Sequence, residues 1–180
     1  MCEDDLLVLR FQAGDRSAFD DLVERHRRRV YSLACRLVGV AEADDLAQEV
    51  FIEAYRALPS FRRQSAFSTW LYRITVHVCS HHLRRRRSES IGLDERQVDG
   101  YRGHDPERQA LSGELCAQVR QAIDGLPCKL RVVIVLRDLH QLSYEEIAEV
   151  LGIPIGTVRS RLHYATQRLA ADLRSYVEVG

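Results

Sequence analysis

DLAQEVFIEAYRALPSFRRQSAFSTWLYRITVHVCSHHLRRRR, residues 45–87, is the stretch on which the reading of this chain turns. It consists of two helix-like segments, a break at Pro59, and a loop, SFRRQSAF, between them. From Ala54 to Ser88 there is no Asp or Glu, while arginine stands at 56, 62, 63, 73, 84, 85, 86 and 87 and histidine at 77, 81 and 82. The whole chain carries 26 basic and 26 acidic residues, so its charges are separated by position, not by excess. A field of one sign concentrates a polyanion locally even when the net charge is zero. On one helix from Phe67 to Arg87, Phe67, Leu71, Ile74 and Val78 form an apolar stripe at spacings of 4, 3 and 4. Arg73, His77, Ser80 and Arg84 form a second stripe at the same spacings, polar and basic. Most charged helix faces are merely solvated; four consecutive arginines with no acidic partner nearby point instead to phosphate.

The composition agrees with a helical protein. Of 180 residues, 46% are hydrophobic and 29% charged, with only 10 Gly and 4 Pro, and no alternating run reads as a strand. The expected fold is all-α: two small helical domains, 1–87 and 106–180, joined by a flexible linker, 88–105, with a helix-turn-helix in the second. No apolar run approaches the roughly 20 residues of a membrane span, and the start, Met1-Cys2-Glu3-Asp4-Asp5, is acidic where a secretory signal would be basic. A cytoplasmic protein without membrane insertion is expected. Five scattered cysteines (2, 35, 79, 116, 128) form no CxxC pair. His77 and His81 share a helix face, but two ligands do not make a site, so no metal or cofactor is expected.

In chain order, residues 4 to 13 form an amphipathic helix closed by Gly14, and Asp15 caps a second from Ser17 to about Val38, ended by Gly39. Phe19, Leu22, Val23, His26, Val30, Leu33, Ala34 and Leu37 are its buried side, with Arg25, Arg27, Arg28 and Arg29 in solvent. Glu42 to Asp45 lead into a third helix whose core stripe is Leu46, Val50, Phe51, Ala54 and Leu58. Asp45, Gln48, Glu49, Ile52 and Glu53 then face elsewhere. That face is either solvated surface or a docking face for a basic partner, and the residues alone leave both open. In the loop 59–66, Phe61 beside Arg62 and Arg63 suits an unstacked base, the ring stacking and the guanidinium groups holding phosphate. The same ring is equally suited to the local core; Trp70 reads as core.

SESIGLDERQVDGYRGHD, 88–105, is polar, lacks helical periodicity and reads as the linker. Asp105-Pro106 then opens a helix to Gly125, with Leu111, Leu115, Val119, Ala122 and Ile123 on its apolar side. Farther on, Ser143 and Glu146 form a capping box for a short helix, Tyr144 to Leu151; Gly152 ends it, and a longer helix starts at Ile155. Ala148, Gly152 and Val158 fall at helix-turn-helix spacings, with Val158, Leu162, Ala165 and Leu169 turned inward. Thr157, Arg159, Ser160, Arg161, His163, Tyr164 and Arg168 are left for a DNA major groove, and no acid lies between Pro154 and Ala171.

With both constellations laid out, the chain resembles bacterial RNA polymerase sigma factors of the extracytoplasmic-function (ECF) group. DDLAQEVFIEAYRALPSFR, FSTWLYRI and LSYEEIAEVLGIPIGTVRSRLH carry the likeness, in the family's order and across a variable linker, from about Asp4 to Leu173. The resemblance implies a dissociable, non-catalytic subunit of core RNA polymerase that directs promoter-specific initiation. The face of Asp45, Gln48, Glu49 and Ile52 would dock on the polymerase clamp helices. Phe61, Arg62, Arg63, Arg73, His77, Ser80 and Arg84 would hold the opened minus-ten element of promoter DNA. Thr157, Arg159, Ser160, Arg161, His163, Tyr164 and Arg168 would read the minus-thirty-five duplex. The resemblance also implies an alternative, stress- or envelope-responsive factor under an anti-sigma partner. His77, His81 and Tyr164 depart from the common pattern of Asn, Asp and Arg. An autonomous helix-turn-helix regulator is the competing reading, and it leaves the Asp45/Gln48/Glu49 face without a purpose. A metal-responsive protein built on His77, Cys79, His81 and His82 is a further one, and it lacks additional ligands.

Overall fold

The computed structural model describes residues 2–90 and 114–177, with side chains over 2–86 and 118–174. Every regular element among them is helical. α1 spans Glu3–Gln12, α2 Ser17–Val38, α3 Val40–Ala57 and α4 Phe67–Ser90; then come α5 Glu114–Asp124, α6 Cys128–Ile134, α7 Tyr144–Leu151 and α8 Ile155–Val177. A 3-10 turn, Leu58–Ser60, follows α3, and a π-helical turn, Val135–Leu139, extends α6. α4 continues to Ser90, past Arg87, where the linker was expected to begin. The rest of the expected linker, the Asp105-Pro106 cap and the side chains of Leu111 and Leu115 lie outside the described residues.

The first half is a bundle in which α2 packs on α1, α3 and α4, and α3 packs on α4. The expected stripes supply its core: Leu22, Val30, Leu33 and Ala34 from α2, Leu46, Val50 and Ala54 from α3, and Phe67, Leu71 and Val78 from α4 are all buried. Each large apolar side chain buried this way contributes about 1.5–3 kcal/mol. Gly39 takes φ 100°, which lets α3 start at Val40, earlier than the acidic residues Glu42 to Asp45 suggested. Arg16, not the expected Asp15, is the N-cap residue of α2 and makes no side-chain cap; Asp15 before it accepts through Oδ1 from the Ser17 amide at 3.1 Å and the Ser17 hydroxyl at 2.6 Å. Arg25 is not simply solvated: it pairs with Glu3 at 2.6 Å and Asp4 at 3.3 Å, tying α1 to α2. His26, buried beside them, bonds Asp4 at 2.9 Å, and burial holds its pKa below the ordinary histidine value against the pull of that carboxylate.

The second half is the expected helix-turn-helix. The Ser143 amide donates to Glu146 Oε2 at 2.8 Å while the Glu146 amide donates to Ser143 Oγ at 3.1 Å, so the capping box closes in both directions. Gly152 is left-handed at φ 62°, the conformation that ends α7 in a tight turn without a Cβ penalty. Val158 is fully buried and Ala165 with it, seating α8. Arg131, buried at 5% exposure, reaches the carbonyls of Asp124 (2.6 Å) and Leu126 (2.9 Å) and so holds the α5–α6 junction.

The halves meet along a seam. α4 packs on α7, and α2 on α6 and the π-helical turn. Tyr72 of α4 and His140 share a hydrogen bond at 3.1 Å with ring centroids 5.0 Å apart. Arg36 pairs with Asp124 at 3.4 Å, and Arg131 Nη1 donates to the Arg36 carbonyl at 3.4 Å. Burial, reinforced by the Arg29 cation, pushes His140 down to about 4.

Two tests follow from this packing. Ser143→Ala removes one cap and strands Glu146, so it should lower unfolding stability by about 1 kcal/mol in denaturant titration; no change would mean the box is not holding α7. Because His140 binds its proton less readily packed than free, the seam keeps full stability above pH 6.5 and loses it as pH falls from 6.5 towards 4. Hydrogen exchange in α7, corrected for intrinsic rates, should accelerate over that range, and His140→Gln should remove the dependence.

Candidate nucleic-acid interface

Three surfaces carry the residues singled out from sequence. On α3, Asp45, Gln48 and Glu49 are exposed, and Ile52 keeps 50% of its surface in solvent. Their spacing of 3, 1 and 3 puts them on one face, an apolar centre with an acidic rim.

The second surface is the loop after α3 together with α4. Arg62 and Arg63 are exposed, Arg63 with φ 54°. Phe61 is not available as a stacking platform: it is 9% exposed and tilted against Trp70 at 4.8 Å, with Phe67 at 6.3 Å. The core claims the ring because the 3-10 turn Leu58–Ser60, which contains Pro59, folds the loop base inward. Gln12 Nε2 fixes it there by donating to the Leu58 carbonyl at 3.1 Å and the Phe61 carbonyl at 2.9 Å. Trp70 is half-buried in this aromatic cluster, as expected of a core residue.

Arg73, His77 and Arg84 are exposed along α4, as the second stripe requires. Ser80 is not with them: it is half-buried in a cavity of about 190 Å³ on the seam, together with Cys79, Leu83, Cys128 and Arg161. The arginine run also has an acidic partner that sequence proximity hides. Arg86 Nη1 reaches Glu42 of α3 at 2.8 Å. Cys79, in the same cavity, is fully buried, and burial pushes its thiol up to about 12. Among the described residues no cluster of three or more metal-ligating side chains occurs, so the histidines of α4 hold no candidate metal centre there.

The third surface is α8. Arg159, Ser160, His163 and Arg168 are exposed, and Tyr164 keeps 61% of its surface in solvent. Thr157 and Arg161 are half-buried, Arg161 because it turns to the seam cavity. Five side chains of one helix therefore stand exposed on a single half-turned face, the geometry that a major groove admits. Sequence reasoning missed the seam residues Tyr72 and His140 altogether; His140 sits just before the α7 cap, but nothing local marks it as a contact across the two halves.

Two family profiles match the chain: Sigma-70 region 2 over residues 22–89 and Sigma-70, region 4 over residues 116–169. The chain is 43% identical over 175 residues to the ECF RNA polymerase sigma-E factor of Escherichia coli (strain K12), covering 92% of each. It is likewise 43% identical over 182 residues to the RNA polymerase sigma-H factor of Pseudomonas aeruginosa, covering 96% of this chain and 94% of that one. Its fold is similar to that of the sigma factor RpoE solved with the anti-sigma factor NepR from Bartonella quintana, with TM-score 0.74 and 25% identity over 87% of this chain and 96% of that one. It is also similar to CnrH in complex with the cytosolic domain of CnrY, with TM-score 0.69 and 28% identity over 96% of this chain and 97% of that one. No described helix is long and apolar enough to cross a membrane. With its helix-turn-helix, its arginine-bearing loop and these relatives, the chain belongs to the ECF group of the sigma-70 family of RNA polymerase sigma factors.

Proposed function

We propose that the first half docks on core RNA polymerase through Asp45, Gln48, Glu49 and Ile52. It then holds the opened minus-ten strand with Arg62, Arg63, Arg73, His77 and Arg84, while α8 reads the minus-thirty-five duplex. The observation that carries this reading is the α3 face: an isoleucine half in solvent, rimmed by acids that form no ion pair among the described residues. A lone DNA-binding regulator has no use for such a face, whereas an apolar centre with a charged rim is the anatomy of a transient protein interface.

Ser80 and Arg161, one from each DNA-reading set, line the same seam cavity. Elements whose names place them about 25 base pairs apart are separated by on the order of 80 Å of duplex at 3.4 Å per base pair. The seam must therefore open for both to be engaged, and the closed form is a form of the free protein. Two modules on a tether then gain affinity through effective concentration once the first is bound. Control by an anti-sigma partner, as in the complexes of RpoE with NepR and CnrH with CnrY, is part of the same proposal: a partner that stabilises the closed arrangement would hold both surfaces out of use.

The test is charge reversal on α3. Asp45→Lys with Glu49→Lys should weaken association with core polymerase on the order of ten-fold or more in a pull-down or fluorescence titration. Binding of the same variant to a minus-thirty-five duplex should be unchanged. Retained polymerase affinity would show that the α3 face is not the docking surface.

A further inference from the structure

Phe61 was the aromatic expected to meet an unstacked base, and its ring is buried. An exposed aromatic nevertheless lies beside the same loop. Tyr55, near the end of α3, keeps 37% of its surface in solvent and lines an open groove of about 400 Å³ with Phe11, Arg16, Arg56 and Pro59. Two near-perpendicular ring contacts fix it, to Phe11 at 5.3 Å and Phe19 at 5.0 Å. A ring held this way loses little further freedom when a flat ligand stacks on it. Arg16 and Arg56 are both exposed, and neither pairs with a carboxylate among the described residues; the nearby Asp15 is taken by Arg10 at 2.6 Å and by Ser17. A groove of this volume accommodates a nucleobase, and the pairing of an aromatic platform with free guanidinium groups is the recognition chemistry of single-stranded nucleic acid.

Location makes the ligand specific. Pro59 forms one wall of the groove and opens the turn that leads into Phe61, Arg62 and Arg63. Gln12, also on the groove wall, is the residue that bonds the Leu58 and Phe61 carbonyls, so groove and loop are held to each other by α1. Arg62 and Arg63 stand three and four residues after the groove wall at Pro59, so a strand lying on them runs beside it. We propose that the groove between α1 and the end of α3 receives one unpaired base of the displaced promoter strand, stacked on Tyr55 with its flanking phosphates between Arg16 and Arg56. The inference rests on the strand-capture role given above to Arg62 and Arg63, and extends that contact to a second site.

The experiment uses the full chain with core polymerase on a promoter at which it initiates. The photoreactive residue p-benzoylphenylalanine is placed at position 55 and, in a parallel preparation, at position 62, and crosslinks to the end-labelled displaced strand are mapped. Both positions should crosslink at neighbouring nucleotides, position 55 only at temperatures where the strands have separated. Crosslinking from position 62 but from no nucleotide at position 55 overturns the groove site while leaving the loop assignment intact. Crosslinking of position 55 to a protein instead of DNA overturns it in favour of a protein ligand. If initiation proceeds and neither position crosslinks, the loop assignment fails and the groove site with it. Because replacing Tyr55 disturbs packing against Phe11 and Phe19, a second variant, Arg16→Ala with Arg56→Ala, removes two exposed, unpaired side chains. Its open complexes should decay on the order of ten-fold faster with polymerase affinity unchanged; unaltered decay would contradict the proposal.

Discussion

Helix α4 is packed on α2 and α3 through Phe67, Leu71 and Val78, and on α7 across the seam, and this double packing constrains the rest of the molecule. A helix buried along two sides has one left for solvent, and there it carries Arg73, His77, His81, Arg84 and Arg85. The basic face is thus oriented by the core and not by its own charges, which repel one another. Its cohesion comes from apolar burial, with the Arg86–Glu42 pair adding one exposed ionic tie of the kind worth less than about 1 kcal/mol.

Zero net charge conceals a strongly polar molecule. The acidic face of α3 and the basic loop and face of α4 belong to adjacent elements, so one small bundle presents opposite fields on two surfaces. An acidic face would repel DNA and a basic one would repel a basic partner, which makes each surface selective by exclusion as well as by attraction. The seam has a different character. Its polar ties among the described residues include the Tyr72–His140 hydrogen bond, the Arg36–Asp124 pair at 3.4 Å and a long bond from Arg131. Its neutral histidine and half-buried carboxylate, whose pKa burial raises, are groups that water would reclaim readily. Such an interface suits the opening proposed above.

Local signals were legible in the sequence. The Ser143–Glu146 box, the left-handed Gly152 and the limits of α2 depend on residues a few positions apart, and all are present in the structure. Core stripes were legible because helical periodicity reports burial directly. What escaped depends on contacts between distant segments. Arg86 meets Glu42 across 44 residues, and Arg25 meets Glu3 across 22, so neither pairing leaves a trace in its own neighbourhood. Phe61 was ambiguous for a physical reason: an aromatic in a short loop is worth about as much stacked on Trp70 as on a base, and only the fold of the turn containing Pro59 decides. Ser80 and Arg161 fit their stripes by phase but sit at the edges of them, where the seam draws them in. The exposed face of α3, by contrast, was visible as a pattern, with Ile52 in solvent where the spacing put it.

The most direct measurement of the central claim is transcription in vitro with sigma-free bacterial core polymerase, this chain and a library of randomised promoters. The account predicts that start sites concentrate on one motif with two parts held at a fixed separation, one part melted and one duplex in the initiating complex. Initiation unchanged by the protein, or starts dependent on a single duplex element, would contradict it.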